Sequence, residues 1–280
     1  MHSAQEILAY ADRLTTLPDV YLKIRAELDD QNASIPAVSE VIASDPAITA
    51  SLLKLANSPF YGYARKIESI QRAVTLIGLK HLHELVLAIS VNTLFAGIQP
   101  RHMDVVHFWR NSVERALLAR AVAQQLNGID PERFFISGLL ADSGHLVMCL
   151  AVPDLMEEVF ETSPQPGENI ADVERAIVGC DFAEVGAALT ATWRLPLSYG
   201  VEIGSQLNPH AAGEHVQPAA LLNLVSRVIA LQGNESSLAY EYPLHPDSAE
   251  LAGIDLEAVQ AVLKAIQPEF AVTLAAFSQR

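Results

Sequence analysis

Imidazole and carboxylate side chains are the usual ligands of divalent metals and the usual carriers of protons, and nine histidines stand among the 280 residues of this chain. Three groupings invite a metal. His81, His83 and Glu84 share one apolar stretch, but residues two apart on a helix point about 200° apart, so those two imidazoles cannot share an ion from that helix. His102, Asp104 and His107 could converge in a turn, yet their spacing matches no ligand pattern, and solvated polar residues are the simpler reading. His210 and His215 lie in a Gly/Pro-rich stretch and His245 precedes Pro246, positions that read as exposed loops. Glu157-Glu158 reads as surface charge rather than as an acid/base pair.

Other chemistries lack their motifs. There is no Gly-x-Ser-x-Gly nucleophile elbow, and Gly204-Ser205 follows a helical segment without a strand before it. Neither Gly-x-x-x-x-Gly-Lys nor Gly-x-Gly-x-x-Gly occurs, so no phosphate-cradling loop is expected. A formal net charge of -15 without any Lys/Arg run argues against nucleic acid and anionic membranes as partners, since both require clustered cations. Cys149 and Cys180 lie in apolar surroundings and read as buried free thiols of a reducing cytoplasm. The N-terminus has no signal-peptide pattern, and the apolar stretch 85–98 is shorter than the roughly 18 residues of a membrane span. A cytoplasmic, soluble protein is expected.

The elements that would position these groups read as helices throughout. Half of the residues are hydrophobic and only 6% aromatic, which favours helix-on-helix packing, and no segment alternates long enough for a strand. Ser3 with Glu6 makes a capping box for a first helix carrying Ile7, Leu8 and Leu14. Further helices are expected over 20–28, 34–43, from Asp45-Pro46 to about Asn57, from Ser69 to Gly78 and over 79–95. Leu52, Leu53, Val86, Leu87, Leu139 and Leu140 are expected in the core. Residues 97–104 suggest a hinge. Beyond it, helices are predicted over 105–126, from Asp130-Pro131 through Ala141-Asp142, over 172–178 and over 183–193. A polar linker over 209–218 then leads to a helix over 219–231, a loop to Gly253, and two last helices started by Asp255 and Pro268.

Several blocks of this pattern resemble HDOD domains, the HD-related output domains of bacterial signalling proteins. In the first half these are Leu17-Pro18, residues 41–49 (Val-Ile-Ala-Ser-Asp-Pro-Ala-Ile-Thr), residues 52–58 (Leu-Leu-Lys-Leu-Ala-Asn-Ser) and residues 67–78. In the second they are residues 108–112 (Phe-Trp-Arg-Asn-Ser), 138–144 (Gly-Leu-Leu-Ala-Asp-Ser-Gly), 178–186 and Trp193 to Pro196. Together they cover about residues 10 to 230. The resemblance implies an all-α fold of two packed helical lobes, the second an HD-like bundle. It places an HDOD domain at 8–230, split into lobes 8–97 and 105–230, with a helical extension at 231–280.

In HD-type phosphohydrolases the stretch Gly-Leu-Leu-His-Asp-x-Gly supplies adjacent His and Asp ligands to a divalent metal that activates water. Here that pair is Ala141-Asp142. Where the first helix of an HD enzyme would offer a His stands Asn111; Phe182 takes the place of a His after Gly-x-Asp; Ser205-Gln206 fall near a His-His pair; and Arg227 falls near the closing Asp. Asp142 alone survives, with a structural role, capping or hydrogen bonding at the bend before Gly144, expected for it. The resemblance therefore implies a non-catalytic signalling module with no metal and no cofactor, working through protein contacts, with receiver or cyclic-di-GMP proteins as partners in trans. Two alternatives stand beside it. One is a small-molecule or nucleotide sensor using a vacated pocket lined by Asn111, Asp142 and Arg227; the other is a metal-dependent phosphohydrolase whose site is rebuilt from Asp142, His145, Glu184 or residues 102–107. Phe60, Tyr61 and Tyr63 sit in a loop broken by proline and glycine; two readings stand for them, packing under the lobe to fasten the loop to the core, which is the simpler, and anchoring an interface.

Overall fold

The computed structural model describes the chain apart from residues 12–13, 15, 31, 60, 96–97, 163–168, 233–241 and 278–280, and apart from the side chains of 268, 269, 272, 276 and 277. All regular structure among the described residues is helical, as the composition predicts. The chain divides into two contact units. One comprises Met1–Thr16 with Gly97–Ala265, the other Leu17–Ala96 with Ile266–Arg280. The expected lobes 8–97 and 105–230 and a separate extension 231–280 divide the chain elsewhere. The difference at the start has a physical cause: His2 N donates to Val178 O at 2.7 Å and the Trp193 indole Nε1 donates to Leu14 O at 2.9 Å, which holds the first residues to the second half of the sequence.

The first helix, α1 (Ala4–Ala9), carries the expected capping box from Ser3 and Glu6. It stops before Leu14, which is kept buried by a turn in which its N–H bonds Ala11 O at 2.8 Å. Next come α2 (Asp19–Asp29), α3 (Ile35–Ala43), α4 (Pro46–Ala56), α5 (Ile70–Ile77) and α6 (Leu79–Phe95), which make up the Leu17–Ala96 part of its unit. Side chains of Ser34, Asp45 and Ser69 cap α3, α4 and α5, satisfying N–H groups that a helix start leaves orphaned. Leu52, Val86 and Leu87 are fully buried here, but Leu53 is half-exposed. Adjacent residues lie about 100° apart around a helix, so the face that buries Leu52 turns Leu53 outward. The buried Tyr21 hydroxyl pairs with His83 Nε2 at 3.0 Å, and burial pushes the His83 pKa down, which gives that histidine a structural partner.

In the larger unit follow α7 (Val105–Ala123), α8 (Pro131–Leu140), α9 (Ser143–Ala151), α10 (Pro153–Glu161), α11 (Ile170–Ile177), α12 (Phe182–Thr192) and α13 (Leu197–Gly204). Ala141-Asp142 lie not within a helix, as expected, but at the joint between α8 and α9, where Asp142 adopts φ -104° and ψ 10°. The joint re-aims the chain so that α9 meets α12 backbone to backbone: a Cβ on Gly144 would fall 1.9 Å from Phe182 O. The predicted polar linker over 209–218 is instead a 3-10 stretch, Pro209–His215, that buries Pro209 and Ala212 and runs into α14 (Val216–Gln232). Then come α15 (Ser248–Ala252), inside the expected loop, and α16 (Leu256–Phe277). This last helix passes through Pro268 without a break, whereas proline there was expected to start a new one; burial of residues 259, 263, 266, 270 and 273 keeps one face continuous across it, and such packing outweighs one lost backbone bond.

Among the described residues, one stretch, Pro131–Ala151, is long and apolar enough to cross a membrane, but 83% of its most apolar window is buried inside the protein. The pair α5 and α6 passes the same test only if a bend of 117° is ignored.

Candidate functional site

The site begins with a glycine. Gly138 on α8 lets that helix lie against α7 so closely that an added Cβ would stand 2.9 Å from Ala119 Cβ and 3.0 Å from Arg115 O. This approach brings the Arg115 side chain, one turn after Asn111, under the joint that carries Asp142. The two form an ion pair, Arg115 Nη2 to Asp142 Oδ2, with side chains only 4% and 17% exposed. Arg115 Nε and Nη1 and Asp142 Oδ1 are buried without hydrogen-bond partners. Asp142 occupies the N-cap position of α9 yet makes no side-chain capping bond; of the two structural roles expected for it, hydrogen bonding at the bend is the one present, through the Arg115 guanidinium.

Around this pair the positions expected to correspond to HD ligands are packed. Ala141 is fully buried and its carbonyl accepts from Gln206 Nε2 at 2.9 Å; the same amide nitrogen donates to Ile203 O at 3.0 Å. Gln206 Oε1 accepts from the Tyr242 hydroxyl at 2.6 Å, and the Tyr242 ring meets Phe182 edge-on at 6.0 Å. Phe182 in turn stacks on His145, and its backbone N–H donates to Glu174 Oε2 at 2.9 Å. His145 Nε2 and Glu174 Oε1 lie 3.1 Å apart, both residues almost wholly buried. Burial alone would lower the His145 pKa, but attraction and hydrogen bonding to Glu174, with Asp142 nearby, carry it above the ordinary imidazole value.

The remaining expected positions lie at the margin. Asn111 is half-buried on α7; Ser205 is the half-exposed C-cap of α13; Arg227 Nη1 donates to Tyr242 O at 3.0 Å from α14. Glu184 is exposed and closes the capping box of α12 with Asp181. Asp104 caps α7 through Val106 and His107 N–H, and His102 faces Glu157 at 3.8 Å, so residues 102–107 do not gather as ligands. Cys149 and Cys180 are free and buried, and burial pushes both thiols up to about 12. In the other unit Tyr61 and Tyr63 stack at 5.8 Å with planes 2° apart, and the Tyr63 hydroxyl donates to Leu76 O at 2.9 Å, fastening the loop to α5. Phe60 lies outside the described residues.

Sequence reasoning missed Arg115, Glu174 and Tyr242, and named His145 only for the rebuilt metal site. One signal was present: Arg115 is four residues after Asn111, hence on the same face of α7.

These residues do not fit the divalent metal of an HD centre. A methyl and a phenyl group offer no lone pair, the Gln206 amide is engaged by backbone and phenol, and the single surviving carboxylate faces a fixed guanidinium that would repel a second cation.

A sequence profile of the HDOD domain matches residues 14–209 of this chain. The chain belongs to the HDOD family. It is 26% identical over 233 residues to an uncharacterised protein of Treponema pallidum (strain Nichols), covering 81% of this chain and 44% of that protein, so it spans under half the length of this relative. Among solved structures it resembles a candidate phosphohydrolase from Shewanella amazonensis, with a TM-score of 0.77 at 25% identity over 99% of both chains. A candidate signal transduction protein from Marinobacter aquaeolei gives 0.70 at 23% identity over 94% of this chain and 60% of the other. The second likeness shows a shared fold alone.

Proposed function

We propose that this HDOD protein is a non-catalytic module of bacterial signalling that works in the cytoplasm through contacts with other proteins. The observation that carries the reading is the buried Arg115–Asp142 pair, which puts a permanent side-chain cation on the one acidic position that an HD metal would share. The name of the Marinobacter relative agrees with a signalling role, and that of the Shewanella relative leans toward hydrolysis. Against hydrolysis stands the donor set: metal-assisted attack by water needs several protein ligands held by supporting hydrogen bonds, and in this cluster Asp142 is engaged by Arg115 while His145 and Glu174 engage each other. Receiver or cyclic-di-GMP proteins in trans are the partners this reading calls for, with the Tyr61–Tyr63 loop as the contact.

The test is an assay of purified protein with phosphomonoesters, nucleotides and cyclic dinucleotides in the presence of manganese, iron, nickel or zinc. Hydrolysis at background is expected. Turnover above background that vanishes in Asp142→Ala overturns the reading.

A sensor reading draws on the buried, unpartnered Arg115 Nε, Arg115 Nη1 and Asp142 Oδ1, which would receive a small polar ligand. A vacated, nucleotide-sized pocket is a different matter: Arg115, Ala141, Phe182, Gln206 and Tyr242 are all nearly buried and would have to part first. Thermal shift with nucleotides separates the cases, because a ligand at 100 times its dissociation constant adds about 2.7 kcal/mol of stability.

A further inference from the structure

His210 and His245, far apart in sequence and each expected in a separate solvated loop, meet at the surface of the larger unit. Their ring centroids are 5.3 Å apart and their planes are inclined by 66°. Asp247 completes the group: its Oδ2 lies 2.9 Å from His210 Nε2, and one donor atom from each of the three residues lies within 4.8 Å of the others. It is the one such trio among the described residues.

We propose that His210, His245 and Asp247 form a surface site for a divalent transition metal, with zinc as the ion that suits it. Two imidazoles and one carboxylate are a donor set that zinc takes in tetrahedral geometry, leaving the fourth position to water. Bonds of about 2.0 to 2.1 Å in that geometry require donor atoms about 3.4 Å apart. The His210–Asp247 contact would open by a few tenths of an ångström and the His245 ring would swing inward, which side chains at an exposed site can do by rotation.

The backbone beneath the trio is already fixed. Asn223, fully buried on α14, donates through Nδ2 to Pro243 O at 2.9 Å, and its Oδ1 accepts from His245 N at 2.9 Å and from Ser248 Oγ at 2.8 Å. One amide therefore holds the segment bearing two of the three ligands. The third is carried by the 3-10 stretch that buries Pro209 and Ala212. A net charge of -15 favours any cation approaching the surface. His215 faces Glu202 and Glu214 instead, at 3.8 and 3.7 Å, and stands apart from the trio. Occupation would tie the 3-10 stretch to the 243–247 segment, a clamp independent of the packed cluster around Asp142.

Calorimetric titration of the chelator-treated full chain with zinc chloride alone tests the site, with cobalt(II) absorption reporting coordination. The expected result is one equivalent of zinc, a four-coordinate cobalt spectrum, and an affinity lower by at least about tenfold in His210→Ala and in His245→Ala but not in His215→Ala. Both substituted ligands are surface residues, and a circular-dichroism melt confirms that the variants fold. Failure of the parent chain to bind zinc, or equal binding by the His210→Ala/His245→Ala double variant, overturns the proposal.

Discussion

The imidazole of His145 lies flat against the ring of Phe182, with centroids 4.0 Å apart and planes inclined by 17°. The phenyl group of Phe182 thus covers a histidine whose Nε2 faces Glu174.

That pair makes stability depend on pH. With the folded-state pKa of His145 raised above its unfolded value of about 6.5, its contribution is complete below that pH and is lost as the pH rises through the raised value. His145→Asn should therefore destabilise the protein more at about pH 6 than at about pH 9. Urea unfolding of both proteins across that range checks it; an equal loss at both ends would remove the charge from the explanation.

Removing Arg115 should be costly. Arg115→Ala leaves Asp142 facing a buried, uncompensated space, and breaking such a pair typically costs about 3 to 5 kcal/mol. The double variant Arg115→Ala/Asp142→Ala should lose less than the two single losses combined. Chemical denaturation of all four proteins gives the coupling energy, and simple additivity would mean that the contact contributes nothing.

Gly144→Ala should be among the most damaging single-methyl changes in the chain. The added carbon would overlap Phe182 O, a backbone atom that cannot rotate away, so α9 and α12 would have to separate. The loss should reach or exceed the about 1 to 3 kcal/mol of ordinary overpacking. A melting temperature within a degree of the parent would contradict this packing.

Two leucines give a paired prediction. Leu139 is 2% exposed, and Leu139→Ala should cost about 2 to 5 kcal/mol through lost transfer energy and a cavity. Leu53, half-exposed, should cost clearly less on the same change. Guanidinium unfolding of both variants measures the difference.

The helices were legible wherever a cap and a stripe coincided, as at Ser3 with Glu6, Asp45-Pro46 and Ser69. They were misread where packing overrode a local signal: Pro268 inside α16, the joint at Ala141-Asp142, and the 3-10 stretch after Asn208, which buries Pro209 and Ala212. Within the site, Asp142 and its place next to Ala141 could be singled out from residue types. Its partner could not, because a salt bridge between α7 and the α8–α9 joint is a fact of tertiary distance. His210 and His245 failed for the same reason: each looks solvated alone, and only the fold makes them neighbours. Tyr242 entered the cluster from beyond the block on which the resemblance rests.

The bond from the Trp193 indole to Leu14 O joins residues 179 apart in sequence. On a ribosome moving at about 5 to 20 residues per second, the acceptor would wait about 9 to 36 s after synthesis for its donor. Until α9 and α12, on which α1 packs, have been made, the apolar residues Ile7 and Leu8 lack those native neighbours, while the helices of Leu17–Ala96 have already been synthesised. The larger unit is thus finished late in translation, and its opening segment is where a nascent chain would call on a holding chaperone.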